Sequence, residues 1–173
     1  MTDEGRSGTD GGSGRAPTWR GVVEHLHRAP VGAAAMEALT QAVLVAGEGL
    51  DGDRYATRTG TYSARHHIDR QVTLIEAEVL DALARDHRVV LAPDEHRRNV
   101  TVRGVPLGHL VGRYFSLGPC VLYGGRLNVP CRYLEAHVGK PVFRPLIHRS
   151  GLNARIVVGG AVSVGDVLEP FDP

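Results

Sequence analysis

"NARIVVGGAVSVGDVLEP", residues 153–170, decides the fold of this chain. It reads as two short strands on either side of Gly159-Gly160, followed by a last strand at Val167–Leu168. Short β-branched runs punctuated by glycine belong to strands that bend rather than to helices. The same texture recurs toward the N-terminus. "WRGVVEHLH" (19–27) alternates in part and reads as a strand, and a second strand is predicted over Thr40–Ala46 before turns at Gly47, Gly49 and Gly52. Further strands are predicted at "VTLI" (72–75), Asn99–Val102, Tyr114–Leu117 and Val121–Tyr123. With 22 glycines to serve at bends and bulges, seven or eight short strands imply a curved, mostly antiparallel sheet or barrel, mainly β with inserted helices (α+β).

Two or three helices interrupt the pattern, the third a short turn or helix at the start of "VPLGHLVGRYFSLG" (105–118). In "QVTLIEAEVLDALARDH" (71–87), Val79, Leu80 and Leu83 fall at helical spacing with Ile75 one turn earlier, which predicts a helix over about 76–87. In "PCRYLEAHVG" (130–139), proline suits a first helical turn because its missing N–H has no partner there. That predicts a helix from Pro130 to Val138, stopped by Gly139. Residues 53–70, "DRYATRTGTYSARHHIDR", are polar and aperiodic, hence a long loop of the functional or mobile kind.

The chain has 173 residues, enough for a single domain with its own core. We assign residues 1–17, poor in apolar groups, to a disordered tail and 18–173 to that domain. A net charge of +1 gives no long-range pull toward nucleic acid or membranes. No apolar run approaches the length of a membrane span and the N-terminus lacks a signal-peptide core, so the expected compartment is cytoplasmic. There the two cysteines, Cys120 and Cys131, are expected as free thiols.

Chemistry concentrates in two places. A thiol at position 131, in the first turn of the predicted helix and beside Arg132, is expected to have a depressed pKa and to serve as nucleophile or metal ligand. The alternative is a small buried apolar residue, a reading that suits Cys120 better. "DEHRRNV" (94–100) brings Arg97, Arg98 and Asn99 together. Arginine forks fit phosphate or carboxylate, and Asn can read an amide-bearing ring, whereas the plain alternative is a solvated charge run. More cations lie in the 53–70 loop, among them Arg54 and Arg70, with His66 and His67 beside them. The nine histidines match no structural zinc spacing, and HExxH is absent.

"GLDGDRYA" (49–56), "RQVTLIEAEVL" (70–80), "RRNVTVRGVPLGHLVGRYFSLG" (97–118), "VPCRYLE" (129–135) and "GLNARIVVGGAVSVGDVL" (151–168) occur in the order found in the MOSC domain, the C-terminal domain of molybdenum cofactor sulfurases, and the chain resembles that family over roughly residues 20–169. The resemblance implies a β-barrel related to the pyruvate kinase barrel domain. It implies that Cys131 carries sulfur as a persulfide or coordinates molybdenum. It further implies that Arg97, Arg98 and Asn99 contact the pterin and phosphate of a molybdenum cofactor of the molybdopterin type. Arg54 and His66 are added as pocket-lining candidates.

This resemblance carries three functional expectations. In the first, the protein binds molybdenum cofactor through the Cys131 thiolate and acts as an oxidoreductase on N-hydroxylated compounds. In the second, it is a sulfur carrier that receives sulfane sulfur as a Cys131 persulfide. In the third, it is a non-catalytic binding module. The chain has no room for the pyridoxal phosphate-dependent desulfurase domain of the sulfurases, nor for the additional barrel of the amidoxime-reducing members. A separate cysteine desulfurase or electron donor protein is therefore the expected partner.

Overall fold

A computed structural model describes residues 18–64 and 67–173; the expected tail and the His66 assignment lie outside them. Among the described residues eleven strands and two α-helices follow in chain order. The first half holds β1 (Gly21–Arg28), β2 (Glu37–Leu39), β3 (Gln41–Val45), β4 (Gly49–Leu50), β5 (Val72–Glu76), α1 (Ala77–His87) and β6 (Val100–Arg103). The second holds β7 (Tyr114–Leu117), β8 (Cys120–Leu127), α2 (Arg132–Val138), β9 (Leu152–Val158), β10 (Gly160–Ser163) and β11 (Val167–Pro170).

Seven of the strands close into a barrel in the order β11-β7-β8-β9-β5-β6-β1. The ring is completed where β1 meets β11, with Gly21 opposite Leu168. Closure leaves no long unpaired edge. Neighbours run antiparallel except β5 and β6, which are parallel and joined by the crossover that contains α1. β2 hangs on β1, and β10, β3 and β4 form a small separate sheet.

Period-two patterning explains the barrel wall. Along β7 and the first half of β8, alternate residues are buried, so Phe115, Leu117, Cys120 and Leu122 face inward with Leu74, Val100, Val102, Leu152 and Ile156. Gly151 shows what the bends require: its φ is +93°, and a Cβ there would strike the Leu74 carbonyl oxygen. A second apolar cluster lies under the helices, where Leu83 of α1 meets Val89, Leu91, Val142, Leu146 and Leu134 of α2. That cluster anchors α2, and Cys131 packs at its margin.

The strand expectations hold closely, and α1 starts within a residue of the predicted position. The short pieces β2 and β4 were not expected. α2 requires a correction, because it begins at Arg132 and not at Pro130. Cys131 is its N-cap, with extended backbone (φ −134°, ψ 147°), and its carbonyl accepts from Leu134 N at 3.1 Å. No helix among the described residues is long and apolar enough to cross a membrane.

Candidate functional site

The register places a row of polar residues at one end of the barrel. Thr73 of β5 lies opposite Asn153 of β9, and Asn153 lies opposite Arg126 of β8. The 97–99 segment enters β6 beside them, since Asn99 N donates to the Thr73 carbonyl at 2.9 Å. The segment from Asn128 to Cys131 and the loop bearing Tyr55, Tyr62 and Arg70 complete the walls. Together these residues enclose a cavity of about 240 Å³ lined by Tyr55, Tyr62, Arg70, Thr73, Arg97, Arg98, Arg126, Asn128, Val129, Pro130, Cys131 and Asn153.

Four arginines and one cysteine line this space, and among the described residues no acidic side chain does. Nor do Arg70, Arg97, Arg98 or Arg126 form an ion pair anywhere among the described residues. Charges out of water are normally paired. Arg98 is only 8 % exposed, yet its guanidinium is held by neutral acceptors: Nε to the Ser150 carbonyl at 3.1 Å, Nη2 to Ser150 Oγ at 2.8 Å and Nη1 to the His96 carbonyl at 3.1 Å. Burial brings its pKa down to about 10, and a negative charge on nearby Cys131 works in the opposite direction. Arg97, 7 % exposed, donates through Nη1 to the Ala34 carbonyl at 2.7 Å. Its pKa is lowered by burial and then by Arg54. The Nε of Arg126 is buried with no hydrogen-bond partner among the described residues.

Consecutive residues of an extended chain point to opposite sides, but Arg97 has φ +61°. This left-handed turn, rare for a residue with a Cβ, breaks the alternation and lets two successive arginines line one cavity. His96 fixes the second of them. Its Nδ1 accepts from Arg98 N at 3.0 Å, so the ring is neutral and its Nε2–H donates to Thr101 Oγ1 at 3.0 Å. Burial, then Arg98, holds its pKa well below 6.5.

The expected residues therefore part company. Cys131, Arg97 and Arg98 come together on the cavity. Asn99 does not reach it: its Oδ1 accepts from Thr73 N (3.1 Å) and Oγ1 (2.8 Å), and its Nδ2 donates to the His27 carbonyl at 3.3 Å, all inside the barrel wall. Arg54 also stays behind the wall, paired with Asp53 at 3.1 Å and donating to the Arg97 carbonyl at 3.0 Å. His67 borders a small recess next to the cavity, with Arg58 and Ser63. Sequence reasoning missed Tyr55, Tyr62, Arg126 and Asn153, which only the β5–β9–β8 register and the folded loop bring in.

Tyr62 lies against the thiol. Its pKa is raised by burial and then by the neighbouring Cys131. Arg70 donates to the Tyr62 carbonyl at 3.1 Å and lies 5.9 Å from its ring centre. Cys120 differs in kind: fully buried, with its thiol pushed up to about 11. Both cysteines are free.

Because α2 has only seven residues and Cys131 caps it without a side-chain bond, the positive surroundings of the sulfur come from the arginines and not from a helix dipole. A cysteine that shares one cavity with four arginines suits an anion that presents oxygens to the guanidiniums and sulfur, or a sulfur-seeking metal, to Cys131.

The fold and this site define a small β-barrel protein with a cysteine set in an arginine-lined cavity. A profile of the MOSC domain matches residues 30–169, and the chain belongs to the MOSC domain family. Among solved structures, the YuaD protein of Bacillus subtilis superposes with a TM-score of 0.75 at 19% identity, covering 90% of this chain and 99% of that one. YiiM from Geobacillus stearothermophilus gives 0.63 at 12%, covering 87% and 73%. YiiM from Escherichia coli gives 0.62 at 17%, covering 91% and 71%. A search of curated proteins returned no match.

Proposed function

We propose that the cavity binds a molybdenum–pterin cofactor by its anionic end, with Cys131 as the protein's ligand to the metal. The observation that carries this reading is the set of four arginines and one cysteine on a cavity that no acidic side chain lines among the described residues. The donor set fits: guanidiniums recognise phosphate bidentately, and thiolate is a soft ligand suited to such a metal. About 240 Å³ is less than most small-molecule clefts enclose, so the cavity takes one end of such a cofactor and the open rim takes the rest. When bound, the group supplies redox chemistry, on this reading the reduction of N-hydroxylated compounds by electrons from a separate protein. The chain's own residues bind and orient. Arg97 and Arg98 neutralise the phosphate, Arg126 offers it an unused donor, and Tyr55 and Tyr62 form part of the wall.

The test is to purify the protein from a molybdenum-replete host that makes the pterin, then measure metal by elemental analysis and pterin by fluorescence after denaturation. Stoichiometric metal and pterin, with metal lost in Cys131→Ser, supports the reading. Background levels of both in the wild type overturn it.

A second reading, sulfur carriage on Cys131, draws on the position of the thiol. Cys131 is part-exposed at the rim, flanked by Val129 at 69 % exposure and by exposed Arg132, within reach of a partner protein such as a cysteine desulfurase. A persulfide anion formed there faces the same guanidiniums.

A further inference from the structure

We propose that the Cys131 cavity takes sulfur directly from a small sulfane-sulfur oxyanion, a donor of the S–SO₃ type, without a desulfurase. The proposal rests on the second reading, Cys131 as sulfur acceptor, and names its substrate class.

Three observations lead to it. The cavity is small, about 240 Å³, which suits a compact anion. Among the described residues its cationic lining includes no acidic side chain, and Arg97 and Arg98 are both more than nine-tenths buried without a counter-ion. Guanidinium donors remain: three of the five N–H groups of Arg98 are engaged, and Arg126 Nε is buried without an acceptor. A neutral disulfide has no use for this concentration of charge. A tetrahedral dianion does, because each of its oxygens can meet a planar fork.

The chemistry balances without an oxidant. The Cys131 thiolate attacks the outer sulfur of the donor. A new S–S bond forms to Cys131 while the donor's own S–S bond breaks, and sulfite departs with that electron pair. A singly charged thiolate and a dianion give a singly charged persulfide and a dianion. The negative charge that develops on the leaving oxyanion lies where the arginines stand, the arrangement that lowers such a barrier. A thiophilic nucleophile such as cyanide then removes the outer sulfur as thiocyanate and restores the thiolate.

The experiment exposes reduced protein to thiosulfate in one arm and to a cysteine desulfurase with cysteine in the other, reading intact mass and thiocyanate release on addition of cyanide. The inference expects one sulfur atom gained on Cys131 from thiosulfate alone and none in Cys131→Ser. Sulfate, an unreactive mimic, competes at constant ionic strength, and Arg126→Gln slows loading by about tenfold or more while its melting temperature stays native. Loading by the desulfurase but not by thiosulfate overturns the inference and leaves the carrier reading standing. Failure of both arms on a wild type whose thiol is intact removes the two together. Loading that sulfate and Arg126→Gln leave unchanged also overturns it, because the arginines are then not the anion site.

Discussion

Replacing Asp53 with alanine tests how the cavity wall is held. Asp53 is fully buried, and its carboxylate accepts from Ala29 N, Tyr55 N and Arg54 Nη1, each at 3.1 Å. Arg54 in turn donates to the carbonyl of Arg97, the residue whose left-handed turn lets two arginines line the cavity. Asp53→Ala leaves a buried cation without its partner and two backbone N–H groups without an acceptor. Breaking a buried pair from one side costs about 3–5 kcal/mol. In a protein of this size that lowers the melting temperature by roughly 6–20 °C. Urea unfolding followed by the single tryptophan, Trp19, which packs against the core, measures it. The double variant Asp53→Ala/Arg54→Met removes the orphaned charge and should lose less than Asp53→Ala alone. A loss below about 1 kcal/mol, or a double variant weaker than the single one, refutes the assignment of this pair as the brace of the wall.

Four further outcomes follow from other contacts of the fold. Asn99→Ala should cost about 2–3 kcal/mol in urea unfolding while leaving phosphate affinity by calorimetry unchanged, because its side chain is spent inside the barrel. His96 is neutral in the fold with a pKa well below its unfolded value near 6.5. Its stabilising contribution is therefore complete above that value and is lost as pH falls toward the folded pKa, at up to about 1.4 kcal/mol per pH unit. Unfolding curves from about pH 7.5 down to about 5.5 should show that slope, and His96→Asn should flatten it. Gly151→Ala should destabilise by about 1–3 kcal/mol, since φ is +93° and a Cβ meets the Leu74 carbonyl. Gly139→Ala, with φ +64° but open space for a Cβ, should cost only about 1 kcal/mol by the same assay.

The barrel could be read from the sequence because its information is local. Alternation in "YFSLGPCVL" and the glycine breaks around 159–160 mark strands whatever their partners. The pairing of arginines 97 and 98 with Cys131 was legible only through the order of motifs, for nothing local joins residues so far apart. Asn99 and Arg54 carry the donors that a phosphate site needs, and composition cannot tell a donor aimed at a ligand from one aimed at a backbone carbonyl. The local proline signal placed Cys131 inside α2, whereas the chain keeps extended geometry through 131 and turns helical only at Arg132. Arg126 was invisible for another reason: its place in the cavity depends on the β8–β9 register, which shifts between Gly124 and Arg126.

Site-resolved alkylation of the native protein with iodoacetamide, with and without inorganic phosphate, tests the central claim most directly. An anion held by the arginines should shield Cys131. Label should appear on part-exposed Cys131 and not on buried Cys120, and phosphate should slow it saturably, with Arg126→Gln requiring more phosphate for the same protection. Equal labelling of the two cysteines, or a Cys131 rate that phosphate leaves untouched, would contradict the account.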